Sequence, residues 1–289
     1  MTATTLTSEA IAQFHRDGFL VMPDFVDRDT CRALRNRADE LVRAFDPGEA
    51  LTIFTTKEQE RKIDHYFLGS GDKIRFFFEE EAIGADGHLA VPKERAINKI
   101  GHALHDLDPV FAPFSRSPAL AGVVQALGVE RPLLLQSMYI FKQPGIGGEV
   151  RCHQDATFLY TEPPSALGLW FALEDATIEN GAMWAIPGGH REGLKSRFRR
   201  DKNDQVRTEV LDGSPWPLER LVPLEAAEGT LIVLHGMLPH MSRENRSPRS
   251  RHAYTLHVIE AGAHYAEDNW LQRDPSMPPR GFNTAGASR

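Results

Sequence analysis

The 289-residue sequence is poor in cysteine, with Cys31 and Cys152 its two. Two thiols build no disulfide framework, and so low a count suits a reducing compartment. Long apolar runs are also missing: no stretch approaches the roughly 18 residues of a membrane-spanning helix. Positive charge is in deficit, with 33 Lys and Arg against 40 Asp and Glu and a net charge of -7. That balance argues against a nucleic-acid-binding surface. No Ser/Gly/Pro-rich linker divides the chain and no internal repeat is visible, so residues 1–289 are expected to form one domain. The opening Met-Thr-Ala-Thr-Thr-Leu lacks a charged-then-apolar signal pattern, and the closing Gly-Ala-Ser-Arg is not a peroxisomal ending. The expectation is a cytoplasmic protein.

What the chain does contain is a histidine and a carboxylate two residues apart, in Val150-Arg-Cys-His-Gln-Asp-Ala-Thr-Phe158. On a strand, His153 and Asp155 would share a face, roughly 6.6 Å apart along it. One imidazole nitrogen and one carboxylate oxygen so placed could bind a single ion. A second histidine must come from elsewhere, and Gly229–His240 offers His235 and His240. His235 lies on the same strand face as Leu231 and Val233, which suits a buried core histidine. His240 follows Pro239, near a strand end where an ion is reachable. Two histidines and one carboxylate on one face of an ion leave the opposite face open, the pattern of non-haem Fe(II) oxygenases. Arg251, on the strand after His240, could form a two-pronged salt bridge with a dicarboxylate whose other end chelates the metal.

The remaining sequence divides into a helical first half and a strand-rich second half. A helix is expected from Thr7 to Gly18, and Asp27 caps another with the apolar stripe Cys31, Leu34, Ala38 and Leu41. The stretch 46–87 reads as polar and irregular. Within it Lys73–Glu79 is either an edge strand with core aromatics or a strand lining a substrate pocket. Helical periodicity is read from Pro92 to Leu107, which would leave Lys99 a solvated helix lysine. Ser117-Pro118 opens a helix that Gly128 closes. Strands follow at 133–142, 150–158, 167–173 and 251–259. The last two are two-sided: Leu167, Leu169, Phe171 and Leu173 oppose Trp170 and Ala172, while Tyr254, Leu256 and Val258 oppose Arg251, Ala253, Thr255 and His257. Such patterns suit a sandwich or open barrel with one face under helices and the other lining a wet pocket. His190 reads as a turn residue, and His252 and His257 as structural. Cys152 should point away from His153.

The set His153-x-Asp155, His240-x-Ser242 and Arg251, with Leu135–Gly145, Leu167–Asp175 and Glu179–His190, resembles the phytanoyl-CoA dioxygenase family of Fe(II)- and 2-oxoglutarate-dependent oxygenases. It is closest to the domain-containing protein 1 branch, and the likeness runs from Phe14 to about Tyr265. The resemblance implies a mainly β double-stranded β-helix, a cupin-like jelly roll, with an α-helical N-terminal layer on one sheet. It implies Fe(II) on His153, Asp155 and His240, eleven residues before Arg251 in the last case. It further implies 2-oxoglutarate held by Arg251, Ser242, Lys99, Met138, Trp170 and Gln154. O2 would be consumed, ascorbate would help, and succinate and CO2 would leave as a small organic or acyl substrate, acyl-CoA included, is oxidised. A zinc hydrolase would not need the arginine. A halogenase would replace Asp155. A catalytically silent binding protein on the same scaffold would keep the ligands. The segment Gly193–Lys202, carrying Lys195, Arg197, Arg199, Arg200 and Lys202, reads either as a solvated loop or as an electropositive lid for an anionic substrate.

Overall fold

The computed structural model describes residues 6–48, 52–53 and 65–283. Both chain ends and part of the 46–87 stretch thus lie outside the described residues. In chain order the elements are α1 (Ser8–Asp17), β1 (Phe19–Met22), α2 (Arg28–Ala44), α3 (His65–Leu68), β2 (Ile74–Phe78), α4 (Lys93–Ala96), β3 (Ile97–His102), α5 (Leu104–Leu107), α6 (Phe111–Ser115) and α7 (Pro118–Ala126). The strand-rich half follows with β4 (Pro132–Ile140), β5 (Val150–His153), β6 (Thr161–Glu162), β7 (Leu167–Ala172), β8 (Met183–Ala185), β9 (Ser196–Arg200), β10 (Val206–Val210), β11 (Val222–Leu224), β12 (Leu231–His235), β13 (His240–Ser242), β14 (Ala253–Glu260) and β15 (His264–Tyr265). No helix among the described residues is long and apolar enough to cross a membrane.

Local chemistry sets the helix ends. The Thr7 and Asp27 side chains accept the orphan N–H groups of Ala10 and Thr30, starting α1 and α2. Gly18 ends α1 at φ +82°, a left-handed conformation that glycine adopts without penalty. A Cβ at Gly18 would also collide with the His190 ring. On α2 the buried stripe is Cys31, Leu34, Ala38 and Val42, with Leu41 half-buried at its edge.

Two antiparallel sheets form the core. The larger runs β1-β12-β7-β14-β4-β3-β2, and the smaller β11-β8-β13-β5. Period-two alternation divides the two faces of the large sheet. Leu167, Leu169, Phe171, Tyr254, Leu256 and Val258 join Phe14, Leu34, Phe111 and Leu120 in a core under the helices. Trp170, Ala172, Ile232, Leu234 and Ala253 face inward, packed with Met183, Ala185 and Leu224 of the smaller sheet. This is the expected jelly roll with a helical layer on one sheet.

Three local expectations are corrected. Residues 97–102, read as helical, form β3, flanked by the one-turn helices α4 and α5. All six β3 residues are buried, so the strand lacks the polar–apolar alternation that would betray it. Pairing with β2 and β4 on its two sides overrides the weak helical propensity. Next, the 150–158 strand stops at His153, and Asp155–Thr157 is a 3-10 turn. Finally, much of the basic 193–202 run is the strand β9, hairpinned with β10. The Lys73–Glu79 stretch does yield an edge strand, β2, with Phe77 and Phe78 buried.

Candidate active site

Sheet register brings the histidines together. On the smaller sheet β13 pairs with β5 so that His240 stands directly across from His153, with ring centroids 4.3 Å apart. Each ring is fixed by its Nδ1–H, which His153 donates to the Arg151 carbonyl (2.8 Å) and His240 to the Leu238 carbonyl (2.9 Å). The free Nε2 lone pairs therefore converge. The turn after His153 swings Asp155 into the gap, where its Oδ1 lies 3.6 Å from both Nε2 atoms. One donor atom from each of the three residues lies within 4.8 Å of the others, a spacing that fits one metal ion. Burial would raise the Asp155 carboxyl, but His257, His240 and His153 outweigh it and hold the carboxyl well below its usual range. Burial also lowers the His240 imidazole to about 4, against the pull of Asp155, so it is neutral and able to ligate at neutral pH.

Asp155 has its own support. His257 Nε2 lies 3.1 Å from Asp155 Oδ2, and His257 Nδ1 lies 3.0 Å from Gln136 Nε2. With the Gln136 amide donating to Nδ1, His257 carries its proton on Nε2 and donates to the carboxylate. Oδ2 is thereby occupied and Oδ1 faces the histidines. Gly168 lies against the same oxygen, where a Cβ would stand 3.0 Å from Oδ2. His257, read from the sequence as structural, buttresses Asp155. It falls on the polar, pocket-facing side of β14 with Arg251 and Thr255, but its contact with Asp155 depends on a strand distant in sequence.

The same cavity, of about 690 Å³, also holds a cationic end lined by Lys99, Met138, Lys142, Trp170, Ser242 and Arg251. Arg251 is buried, and its Nε donates to the Gly181 carbonyl at 3.2 Å. Its Nη1 is buried with no hydrogen-bond partner, so a donor of the guanidinium fork is left for a ligand. The Trp170 ring lies under the guanidinium, 5.3 Å from Cζ. Burial lowers the Arg251 pKa to about 10, against the opposing influence of Glu79 and Glu174, so it stays charged at neutral pH. Lys142, which the sequence did not single out, donates to Ser242 Oγ at 2.9 Å and to the Gly148 carbonyl at 2.6 Å. Burial first, then Arg251, push its ammonium down to about 7, while Glu79 opposes them. Lys99 is buried on β3 rather than solvated on a helix, with Nζ 3.9 Å from Met138 Sδ.

The family signature described as "Phytanoyl-CoA dioxygenase (PhyH)" matches residues 14–253. The chain belongs to the phytanoyl-CoA dioxygenase family. It is 49% identical over 279 residues to an Arabidopsis thaliana protein named phytanoyl-CoA dioxygenase, covering 95% of this chain and 96% of that one. It is 47% identical to the Mus musculus phytanoyl-CoA dioxygenase domain-containing protein 1, covering 94% and 97%. Among solved structures, the non-heme alpha-ketoglutarate-dependent carbocyclase SnoK is similar in fold at TM-score 0.64 and 19% identity, over 93% of this chain and 89% of that one. EctD from S. alaskensis, solved with 2-oxoglutarate and 5-hydroxyectoine, gives TM-score 0.63 at 21% identity over 95% and 86%.

Other expected residues of this family member land elsewhere. Gln154, expected at the co-substrate, is not among the residues lining the cavity. Its Nε2 donates to the Gly193 and Met237 carbonyls at 2.7 and 2.8 Å, and its Oε1 accepts the Lys195 N–H at 2.9 Å. It braces the loops on either side of the triad. His235 packs against Phe14 and His190 with ring centroids 6.2 and 4.9 Å away, and His190 Nε2–H donates to the His15 carbonyl. Both therefore secure α1. Cys152 borders the cavity, with its thiol pushed up to about 12 by burial. Of the two readings left open for the basic run, the ion pairs speak against the electropositive lid. Arg197 pairs with Asp268 at 2.5 Å, Arg199 with Glu209 at 2.6 Å and with Asp268, Arg200 with Asp204 at 2.8 Å, and Lys195 with Asp212 at 2.6 Å. Four of the five cations of the run are thus paired, by Glu209 of β10, by Asp204 and Asp212 on either side of that strand, and by the remote Asp268.

Proposed function

We propose that this protein is an Fe(II)- and 2-oxoglutarate-dependent oxygenase that oxidises a small organic molecule. The observation that carries this reading is the meeting, in one cavity, of the His153–Asp155–His240 group with a buried Arg251 whose Nη1 has no partner. The donor set fits a ferrous ion with one open side, and the arginine fits a carboxylate. SnoN, a related fold at 15% identity and TM-score 0.64, was solved with Fe3+ and alpha-ketoglutarate, which supports carrying both groups to this chain.

In this reading His153, Asp155 and His240 would hold the iron, and Arg251 with Ser242 the far carboxylate of 2-oxoglutarate. Lys142 orients the Ser242 hydroxyl by donating to its oxygen. Lys99, beside Met138, would add a further cation to the same cavity, and Trp170 supports the guanidinium. When bound, iron, 2-oxoglutarate and O2 supply the oxidising chemistry, with succinate and CO2 as co-products and ascorbate as a helpful reductant. The chain's own part is to fix ligand tautomers and to present a cation with an unpartnered donor to a carboxylate.

The test is succinate release from 2-oxoglutarate by protein supplied with Fe(II) and ascorbate. His240→Ala should abolish both iron binding and release, while His235→Ala should keep both. The opposite result would reject the assignment, and the absence of release from the folded, iron-loaded wild type would reject the activity.

A further inference from the structure

Besides the triad and the Arg251 group, the same cavity has a further end lined by Phe158, Phe198, Val210 and Trp216. We propose that this end is the substrate subsite and that it takes an uncharged, mainly apolar molecule of ring-like bulk. This rests on the oxygenase reading and gives it a substrate class.

Aromatic and aliphatic side chains stand at this end among the polar Ser196, Thr208, Asp212 and Ser214. Phe158 stands 5.9 Å from the His153 ring and 5.6 Å from Phe198, centroid to centroid. Val210 and Trp216 line the same space from β10 and the segment after it. A molecule lying on Phe158 is therefore next to a triad residue. Aromatic walls favour ring faces and edges, and they offer a carboxylate or phosphate nothing to replace its water.

Two of the cations beside this wall, Arg151 and Lys195, are already matched, and a third, Lys99, rests with its ammonium 5.8 Å from the centre of the Phe67 ring. Arg151 meets Glu149 at 3.2 Å. Lys195 donates to Asp212 at 2.6 Å and to Ser214 Oγ at 2.5 Å, with its ammonium 5.1 Å from the Trp216 ring centre. An anionic substrate meeting Arg151 or Lys195 would have to break one of these pairs. On β9, Arg197 pairs with Asp268, Arg199 with Asp268 and Glu209, and Arg200 with Asp204.

Lys195 has a positioning role in this arrangement. Its backbone N–H is held by Gln154, which lies between His153 and Asp155, while its side chain holds the 212–216 segment. Proline flanks Trp216 on both sides and restricts its backbone. The wall is thus registered to the triad through a short chain of bonds.

The experiment is calorimetric titration of the full, iron-free chain in excess 2-oxoglutarate, which occupies Arg251, using three probes: 2-naphthol, 2-naphthoate and octanoyl-CoA. The expected result is 2-naphthol binding at least about tenfold tighter than either anion, with no loss at high salt. Trp216→Ala should weaken 2-naphthol by about tenfold or more, and Trp216→Phe should restore most of it. Lys195→Met should weaken it while the variant remains folded by circular dichroism. Preferred, salt-sensitive binding of 2-naphthoate or octanoyl-CoA would overturn the inference, as would equal 2-naphthol affinity in wild type and Trp216→Ala. Succinate release on the same preparation separates the two readings. Release without a 2-naphthol preference sinks the substrate class alone, whereas a 2-naphthol preference without release sinks the oxygenase reading and supports the apolar site.

Discussion

Replacing His257 with alanine should weaken metal binding although His257 is not among the proposed ligands. The imidazole is 5% exposed and stands 3.1 Å from Asp155 Oδ2, tied at its other nitrogen to Gln136. Its removal leaves a buried carboxylate oxygen without a donor, which costs about 1–3 kcal/mol. Part of that cost falls on the bound state, because Asp155 is then free to turn Oδ1 away from the histidines. Partners of this kind are typically worth about 10–100-fold in metal affinity, or about 1.4–2.7 kcal/mol. The two figures agree, so the expected loss is one to two orders of magnitude. The assay is titration of the apoprotein with Mn(II), followed by the free-ion paramagnetic signal, with a thermal melt to confirm folding. His257→Gln, which can still donate to Asp155, should recover part of the loss. His252→Ala, which removes a partner of Tyr139 instead, should leave the affinity within about twofold of wild type. A folded His257→Ala protein with wild-type Mn(II) affinity would refute the reasoning.

The remaining predictions concern the co-substrate, the carboxylate's packing, charge and pH. Arg251→Ala should raise the 2-oxoglutarate Kd by the equivalent of about 2–5 kcal/mol with Mn(II) affinity retained; unchanged 2-oxoglutarate binding would remove Arg251 from that role. Gly168→Ala places a Cβ 3.0 Å from Asp155 Oδ2, so Mn(II) affinity should fall by about tenfold with little change in Tm, and an unaltered titration would contradict the geometry. The Arg197/Arg199/Arg200 triple-alanine variant should lower Tm, because its ion pairs fasten β9 to β10 and Asp268. The salt dependence of its succinate release should match that of wild type, and a lost salt dependence would revive the steering lid. Burial holds His235 at about 4 against an ordinary value of 6.5. Between those values the unfolded chain binds the proton and the folded one does not, so stability should fall as pH drops from about 6.5 to 4. His235→Phe should flatten that part of the denaturation profile, and an unchanged slope would argue against the burial effect.

The sequence by itself determined what alternation and local chemistry encode. The caps of α1, α2 and α7 were legible because Thr7, Asp27 and Ser117 act on residues three positions away. The two-sided strands β7 and β14 were legible because one face meets helices and the other a cavity. The triad and Arg251 stood out as residue types in an order matching a family. Tertiary structure alone decided how these residues meet. His153 and Asp155 do not share a strand face; a turn between them and the β5–β13 register put their donor atoms beside His240. Lys99 entered the cavity because β3 is buried on both faces, which erases the alternation that reveals strands. His257, Gln136 and Lys142 acquired their partners from residues 100 or more positions away. Arg197 and Arg199 of the basic run likewise gained a distant partner, since Asp268 reaches them only after folding. Periodicity reports a residue's face, whereas a salt bridge or a metal ligand depends on which distant strand pairs beside it.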